Sequence, residues 1–262
     1  MTIETGFASS GELRMYYELH GEPVPGTRPL LLIHGGGATI QTNWEHLIPL
    51  VTPSRQVIAV EEQGHGRTQP IDRELTPELS ADDVAATLTQ LGLGPVDVLG
   101  FSSGGRVALA LAVRHPQLVG RLIVASGFAR RDDMIDGFWQ MLGEATLAGM
   151  PQVYRDADLA LNDGDPAHLQ RLFDIDSRRM LTSPDLSEEA LAAISAPTLV
   201  VIADRDVVTV EGALRLSRSI PDARLMVVPG NHGDYLGERG SFGGDTAAVR
   251  RTVPWLLAFL DE

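Results

Sequence analysis

The sequence predicts an α/β fold built on a mostly parallel sheet. Two patterns carry that prediction: short, nearly continuous apolar runs rich in β-branched residues, and helical stretches that alternate with them. A third observation agrees with both. Glycine-rich turns follow several of the runs, at the edge where a parallel sheet presents its strand carboxyl ends.

Taken in order, Leu13, Met15, Tyr17 and Leu19 alternate as in a half-solvated antiparallel strand. The runs Pro29 to Ile33, Gln56 to Val60, Val96 to Gly100, Arg121 to Ala125, Pro197 to Ala203 and Arg224 to Val228 read as strands buried on both faces. Thr76 to Leu91 carries Leu79, Val84, Leu88 and Leu91 as a helix with Thr76 as its N-cap, and Ser103 to His115 is an apolar helix ended by Pro116. This alternation implies right-handed βαβ crossovers. From Phe128 to Ile194 the strands stop, and Met134, Ile135, Phe138, Trp139, Met141 and Leu142 open a series of helices. Because a strand pattern resumes at Pro197, residues 128–194 are expected to be a helical insertion in one core domain formed by 1–127 and 195–262.

Composition narrows the chemistry. A chain of 262 residues that is 44% apolar can bury a sizeable core. It contains no cysteine, and its 21 basic residues are all arginine. Thiolate nucleophiles, Cys-ligated metals, P-loop lysines and Schiff bases are therefore excluded. A formal charge of −14 disfavours nucleic acid as a partner. No apolar run approaches the roughly 18 residues of a membrane span, and the first residues lack a basic start followed by an apolar stretch. The expectation is a cytoplasmic protein with a small-molecule substrate, no membrane partner, and neither cofactor nor metal.

Gly100-Phe101-Ser102-Ser103-Gly104 is a G-x-S-x-G motif between a strand and a helix. Ser102 must sit on a turn so sharp that the residues two before and two after it have no room for side chains. A serine hydroxyl is a weak nucleophile until a base takes its proton. His232, in the glycine-flanked loop after the last strand, is the first candidate; His115 at a helix end and His168 in the insertion are read as structural. A carboxylate must then orient the imidazole. Asp206, after Pro197 to Ala203, is the first choice, with Asp204 next and Asp132 or Asp133 behind it. The loop His34-Gly35-Gly36-Gly37 brings backbone N–H groups close to a substrate oxygen, with the N–H of Ser103 as second donor. Met134, Phe138, Trp139, Met141 and Leu142 serve chiefly to seal the insertion to the core. Phe138, Trp139, Met141 and Leu142 are also candidates for lining an apolar substrate pocket. Arg130 and Arg131 are the arginines that would have to reach that pocket if it held an anion.

Together, HGGG, the later Gln63-Gly64-His65-Gly66-Arg67-Thr68, GFSSGG, ADRD and PGNH resemble the α/β-hydrolase superfamily over nearly the whole chain. The resemblance implies an eight-stranded, mostly parallel sheet with a helical cap after strand six. It also implies Ser102 as nucleophile, His232 as base, Asp206 as acid, and Gly36 with Ser103 as oxyanion donors. A serine nucleophile separates the chain from the dehalogenase and epoxide hydrolase branches. The expected activity is hydrolysis of a small apolar ester or lactone. C–C bond hydrolysis, aminopeptidase chemistry and perhydrolysis are alternatives for the same triad, and GFSSGG is similar to the perhydrolase branch; a ligand sensor with little turnover is the non-enzymatic alternative. Three departures stand out: Glu61-Glu62-Gln63 where an Asp and an Arg are commoner, Ala203 where Gly is common, and a distinctive Gly233 to Glu238 segment.

Overall fold

A computed structural model describes residues 2–240 and 246–262. Eight strands form one sheet: β1 (Ile3–Ser10), β2 (Leu13–His20), β3 (Leu30–Ile33), β4 (Val57–Glu61), β5 (Val96–Phe101), β6 (Val119–Ala125), β7 (Thr198–Arg205) and β8 (Ala223–Asn231). Their spatial order is β1-β2-β4-β3-β5-β6-β7-β8. Only β2 runs against its neighbours β1 and β4; the remaining pairs are parallel. The expected strands are all present, and β1 is an addition. It is an edge strand whose side chains are mostly exposed, with Ala8 alone buried, so no apolar pattern marked it. Its hairpin to β2 turns at Gly11, where φ is +58°.

The helices are α1 (Ile40–Trp44), α2 (Ile48–Val51), α3 (Pro77–Gln90), α4 (Ser103–Arg114), α5 (Phe138–Gly143), α6 (Gln152–Leu161), α7 (Pro166–Thr182), α8 (Glu188–Ala192), α9 (Val210–Ser219) and α10 (Thr246–Leu260). Thr76 caps α3, its hydroxyl accepting the Leu79 N–H. Alternation along β3 shows why the sheet is covered on both sides. Leu31 and Ile33 join Val84, Leu88, Val107 and Leu111 on one face, while Leu30 and Leu32 join Trp44, Leu256 and Phe259 on the other. Each such leucine contributes about 2 kcal/mol by leaving water, so Leu32→Ala, which would also leave a cavity, is the kind of change this core tolerates least.

Between β6 and β7 the described residues form α5 to α8 and no strand, only an isolated bridge from Met134 to Val208. Among the described residues no helix is long and apolar enough to cross a membrane. The parallel strands β3, β4, β5, β7 and β8 end at one edge of the sheet, and the five motif segments lie at those ends.

Candidate active site

Ser102 joins β5 to α4 with φ +54° and ψ −118°, a conformation that L side chains rarely adopt. The turn holds because its neighbours are glycine. A Cβ on Gly100 would run into the Gly104 carbonyl, and one on Gly104 into the carbonyls of Ile33 and His34. The Ser102 N–H is held by the Ala125 carbonyl at 2.9 Å. The hydroxyl is thereby fixed at the carboxyl edge of the sheet.

There it meets the ends of β7 and β8. Ser102 Oγ donates to His232 Nε2 at 3.0 Å, and His232 Nδ1 donates to Asp206 Oδ1 at 2.6 Å. Phe101 backs the imidazole, its ring centroid 4.7 Å away. Asp206 is saturated with donors. Oδ1 also accepts from Val207 N at 2.7 Å, and Oδ2 accepts the Ser126 hydroxyl at 2.5 Å. That hydroxyl lies 2.7 Å from the Tyr235 hydroxyl. Burial pushes the Asp206 carboxyl up, but His232 and the Ser126 bond outweigh it and hold the group below its usual range. Asp206 therefore stays ionised beside the imidazole.

The other candidates are occupied elsewhere. Asp204 is exposed and accepts from Gly230 N. Asp133 binds the N–H groups of Ala129 and Arg130 and the Arg215 guanidinium, and Asp132 pairs with Arg130 and Arg215. His115 pairs with Asp82 at 2.7 Å and His168 with Asp158 at 3.1 Å. The Gly233 to Glu238 segment acquires structural duties. Asp234 accepts from the Asn231 backbone beside His232, Tyr235 supports Ser126, and Glu238 takes the Tyr154 hydroxyl of α6 at 2.6 Å.

The glycine loop also packs against Ser102, where a Cβ on Gly35 would come 3.4 Å from the serine Cβ. Among the described residues neither the Gly36 N–H nor the Ser103 N–H is spent on a protein acceptor, whereas Gly35 N donates to Asn43 and Gly37 N to His65 Nε2 at 3.2 Å. The two free N–H groups are those expected to face an oxyanion. His65 is fully buried, and desolvation pushes its pKa down to about 4; its Nδ1 donates to the Gln63 carbonyl. His34 spans the Gly35 carbonyl and the Glu62 N–H. Both rings brace loops.

Sequence reasoning missed the ion cluster beneath this loop. Arg179 of α7 donates to Glu62 at 2.7 Å, to Asp176, and to the Ser103 hydroxyl at 3.1 Å. Glu62, one of the departures from the family pattern, is thus the buried partner of an arginine 117 positions away. Asp176 and Arg179 sit on a polar helix at a spacing common on any surface, so nothing local marked them. The neighbours of Glu62 in that departure are placed as well: Glu61 accepts from Arg67 and Ile40, and Gln63 from Arg73.

A cavity of about 470 Å³ opens against the loop, lined by Gly36 and Gly37, by Met141, Leu142 and Phe173, and by Asp176. Of the four residues expected to line a substrate pocket, Met141 and Leu142 line this cavity, and Phe138 and Trp139 do not. Trp139 donates to the Arg131 carbonyl at 2.8 Å and meets Phe128 edge-to-face, and both rings pack onto the sheet core. Arg130 and Arg131 are likewise spent, on Asp132 and on the Trp139 face 3.8 Å away.

A family model for the alpha/beta hydrolase fold matches residues 28–191. RutD of Caulobacter vibrioides, named for carbamate hydrolysis, is 34% identical over 125 residues, 46% of this chain and 45% of that protein. The chain thus spans just under half the length of that relative in the match. The 2-hydroxy-6-oxo-2,4-heptadienoate hydrolase of Pseudomonas putida is 29% identical over 220 residues, 76% of this chain and 80% of that one. The solved meta-cleavage product hydrolase CumD of Pseudomonas fluorescens superposes with a TM-score of 0.78 at 21% identity, covering 98% of this chain and 97% of that one, a likeness of fold. With the sheet order, the serine turn and a model match over more than half its length in agreement, the chain belongs to the alpha/beta hydrolase family.

Proposed function

We propose that this protein is a serine hydrolase that cleaves a neutral, apolar carboxylic ester or lactone through an acyl-enzyme on Ser102. The observation that carries the reading is the unbroken relay from Ser102 Oγ through His232 to Asp206, at 3.0 and 2.6 Å. His232 takes the hydroxyl proton as Ser102 attacks the carbonyl, and Asp206 stabilises the imidazolium. The Gly36 and Ser103 N–H groups receive the oxyanion. His232 then returns the proton to the leaving alcohol, and water deacylates the enzyme by the same route reversed. No cofactor enters the scheme. Residues 128–194 act as a cap whose Met141, Leu142 and Phe173 give the cavity an apolar roof.

The relatives' names span carbamate and C–C bond hydrolysis, chemistries open to the same nucleophile. What favours a neutral substrate is the state of Arg179. The Arg179 guanidinium, bonded to the Ser103 hydroxyl, is already tied to two carboxylates, which leaves it unfit to hold a substrate anion. The test is turnover of nitrophenyl butyrate. Wild type should complete many turnovers per active site, and Ser102→Ala should lower kcat on the order of 10⁴ to 10⁶ while the fold, followed by circular dichroism, is kept. Activity within tenfold of wild type in that variant contradicts the proposal.

A further inference from the structure

Asp176 leaves one carboxylate oxygen unspent. Its Oδ1 takes the Arg179 guanidinium, and its approach to His65 Nε2, at 3.8 Å, also uses Oδ1. Among the described residues Oδ2 receives no hydrogen bond. That oxygen lies 2.5 Å from where a Cβ on Gly36 would stand, so the carboxylate presses on the loop that presents the oxyanion donor. Asp176 also lines the apolar cavity with Gly36, Met141 and Leu142.

Two physical consequences follow. The Asp176 side chain is 15% exposed, so water can reach it in the free protein; a bound molecule that displaces that water from Oδ2 has to supply a donor in its place. Glu62 and Asp176 together carry two negative charges against the single positive charge of Arg179. His65 adds nothing at neutral pH, its pKa being held down to about 4. This wall of the cavity is therefore net negative, which opposes a substrate carboxylate and also raises the energy of a nearby oxyanion unless a substrate donor lies between them.

Resting on the acyl transfer proposed at Ser102, we propose that Asp176 is a specificity-determining residue. Its Oδ2 accepts a hydrogen bond from a hydroxyl or N–H within a few bonds of the reacting carbonyl, so the enzyme selects donor-bearing neutral substrates and rejects carboxylates. The preferred class is hydroxy- or amido-substituted esters or lactones.

Three matched esters test this by acid release: methyl butyrate, methyl 3-hydroxybutyrate and methyl hydrogen succinate. Wild type should favour the hydroxy ester over methyl butyrate by about tenfold in kcat/KM, with the succinate ester poorest by a similar factor. Asp176→Ala should bring the hydroxy-to-butyrate ratio to within about twofold. Asp176→Asn, which keeps an acceptor but removes the charge, should raise the succinate ester about tenfold relative to methyl butyrate. If both variants slow all three esters alike and leave the ratios unmoved, Asp176 merely holds Arg179 and the inference is overturned.

Binding to Ser102→Ala, read by ligand-detected NMR, separates this inference from the reaction it rests on. The same ranking should be seen in affinity and should vanish in Ser102→Ala with Asp176→Ala. Equal binding of the three esters overturns the role of Asp176 even if they are turned over. Ranked binding without turnover in wild type overturns the reaction and leaves the role of Asp176 standing.

Discussion

Asp206 holds the histidine that meets Ser102, Asp176 approaches the glycine loop at Gly36, and their oxygens meet different surroundings. The Asp206 side chain is 0% exposed, and its oxygens take donors from His232, Val207 and Ser126, groups fixed at strand ends. The Asp176 side chain is 15% exposed, rides on α7, and spends one oxygen on Arg179. A carboxylate saturated by donors on a rigid sheet can orient an imidazole but has no capacity left for a ligand. One left half-paired at the wall of a cavity has that capacity. The residue type is the same; the count of donors around it differs.

The widest gap should come from Asp206 itself. Asp206→Asn is expected to lower kcat about 10⁴-fold by favouring the wrong imidazole tautomer. Asp204→Asn, which alters an exposed group bonded to Gly230 N, should change it less than threefold. Between these extremes, Ser126→Ala removes one donor from Asp206 Oδ2 and should cost about tenfold in kcat with KM little changed. Steady-state kinetics on one neutral ester would rank the three, and a reversed ranking of Asp206 and Asp204 would move the orienting role.

Acid should separate the two sides by stability. His65, beneath the glycine loop, has its pKa pushed down to about 4 by burial, against an ordinary value near 6.5. The unfolded chain therefore binds a proton between those values that the native protein does not, and stability falls as pH drops from about 6.5 to about 4, by on the order of 3 kcal/mol. Asp206 has the opposite timing: its carboxyl is held below the usual range, so its contribution is present above the unfolded carboxylate pKa and is lost only at lower pH. Urea unfolding across this range should show the slope between pH 6.5 and 4, and His65→Gln should flatten it. An unchanged slope in that variant assigns the effect to another group.

Legibility of the molecule in its sequence followed the distance over which each feature is determined. The runs that became β3 to β7 are marked because both faces are largely buried, so nearly every residue is apolar; β8, expected to be buried on both faces, is instead an edge strand without a buried residue, and only the apolar Leu225, Met226, Val227 and Val228 mark it. The turn at Ser102 is marked because the clashes that demand Gly100 and Gly104 arise within four residues and at the adjacent end of β3. Edge strand β1 carries no such run: Ile3–Ser10 is mostly small or polar and exposed, with Ala8 alone buried, so no apolar pattern marks it. The ion cluster could not be read because Glu62, Asp176 and Arg179 acquire meaning only when α7 packs over the glycine loop. For Phe138 and Trp139 the sequence left both roles open, because an aromatic pair at helical spacing looks the same whether it faces a pocket or the core. The direction was decided by Phe128 and the Arg131 carbonyl, both contributed from outside that helix.

In this account the Ser102 Oγ is the atom that becomes acylated, and covalent labelling reads it directly. Wild type treated with an alkyl fluorophosphonate should gain one equivalent of mass, located by peptide mapping at Ser102, and labelling should slow by orders of magnitude in His232→Ala. Label at another residue, or unchanged labelling of Ser102→Ala, would contradict the account.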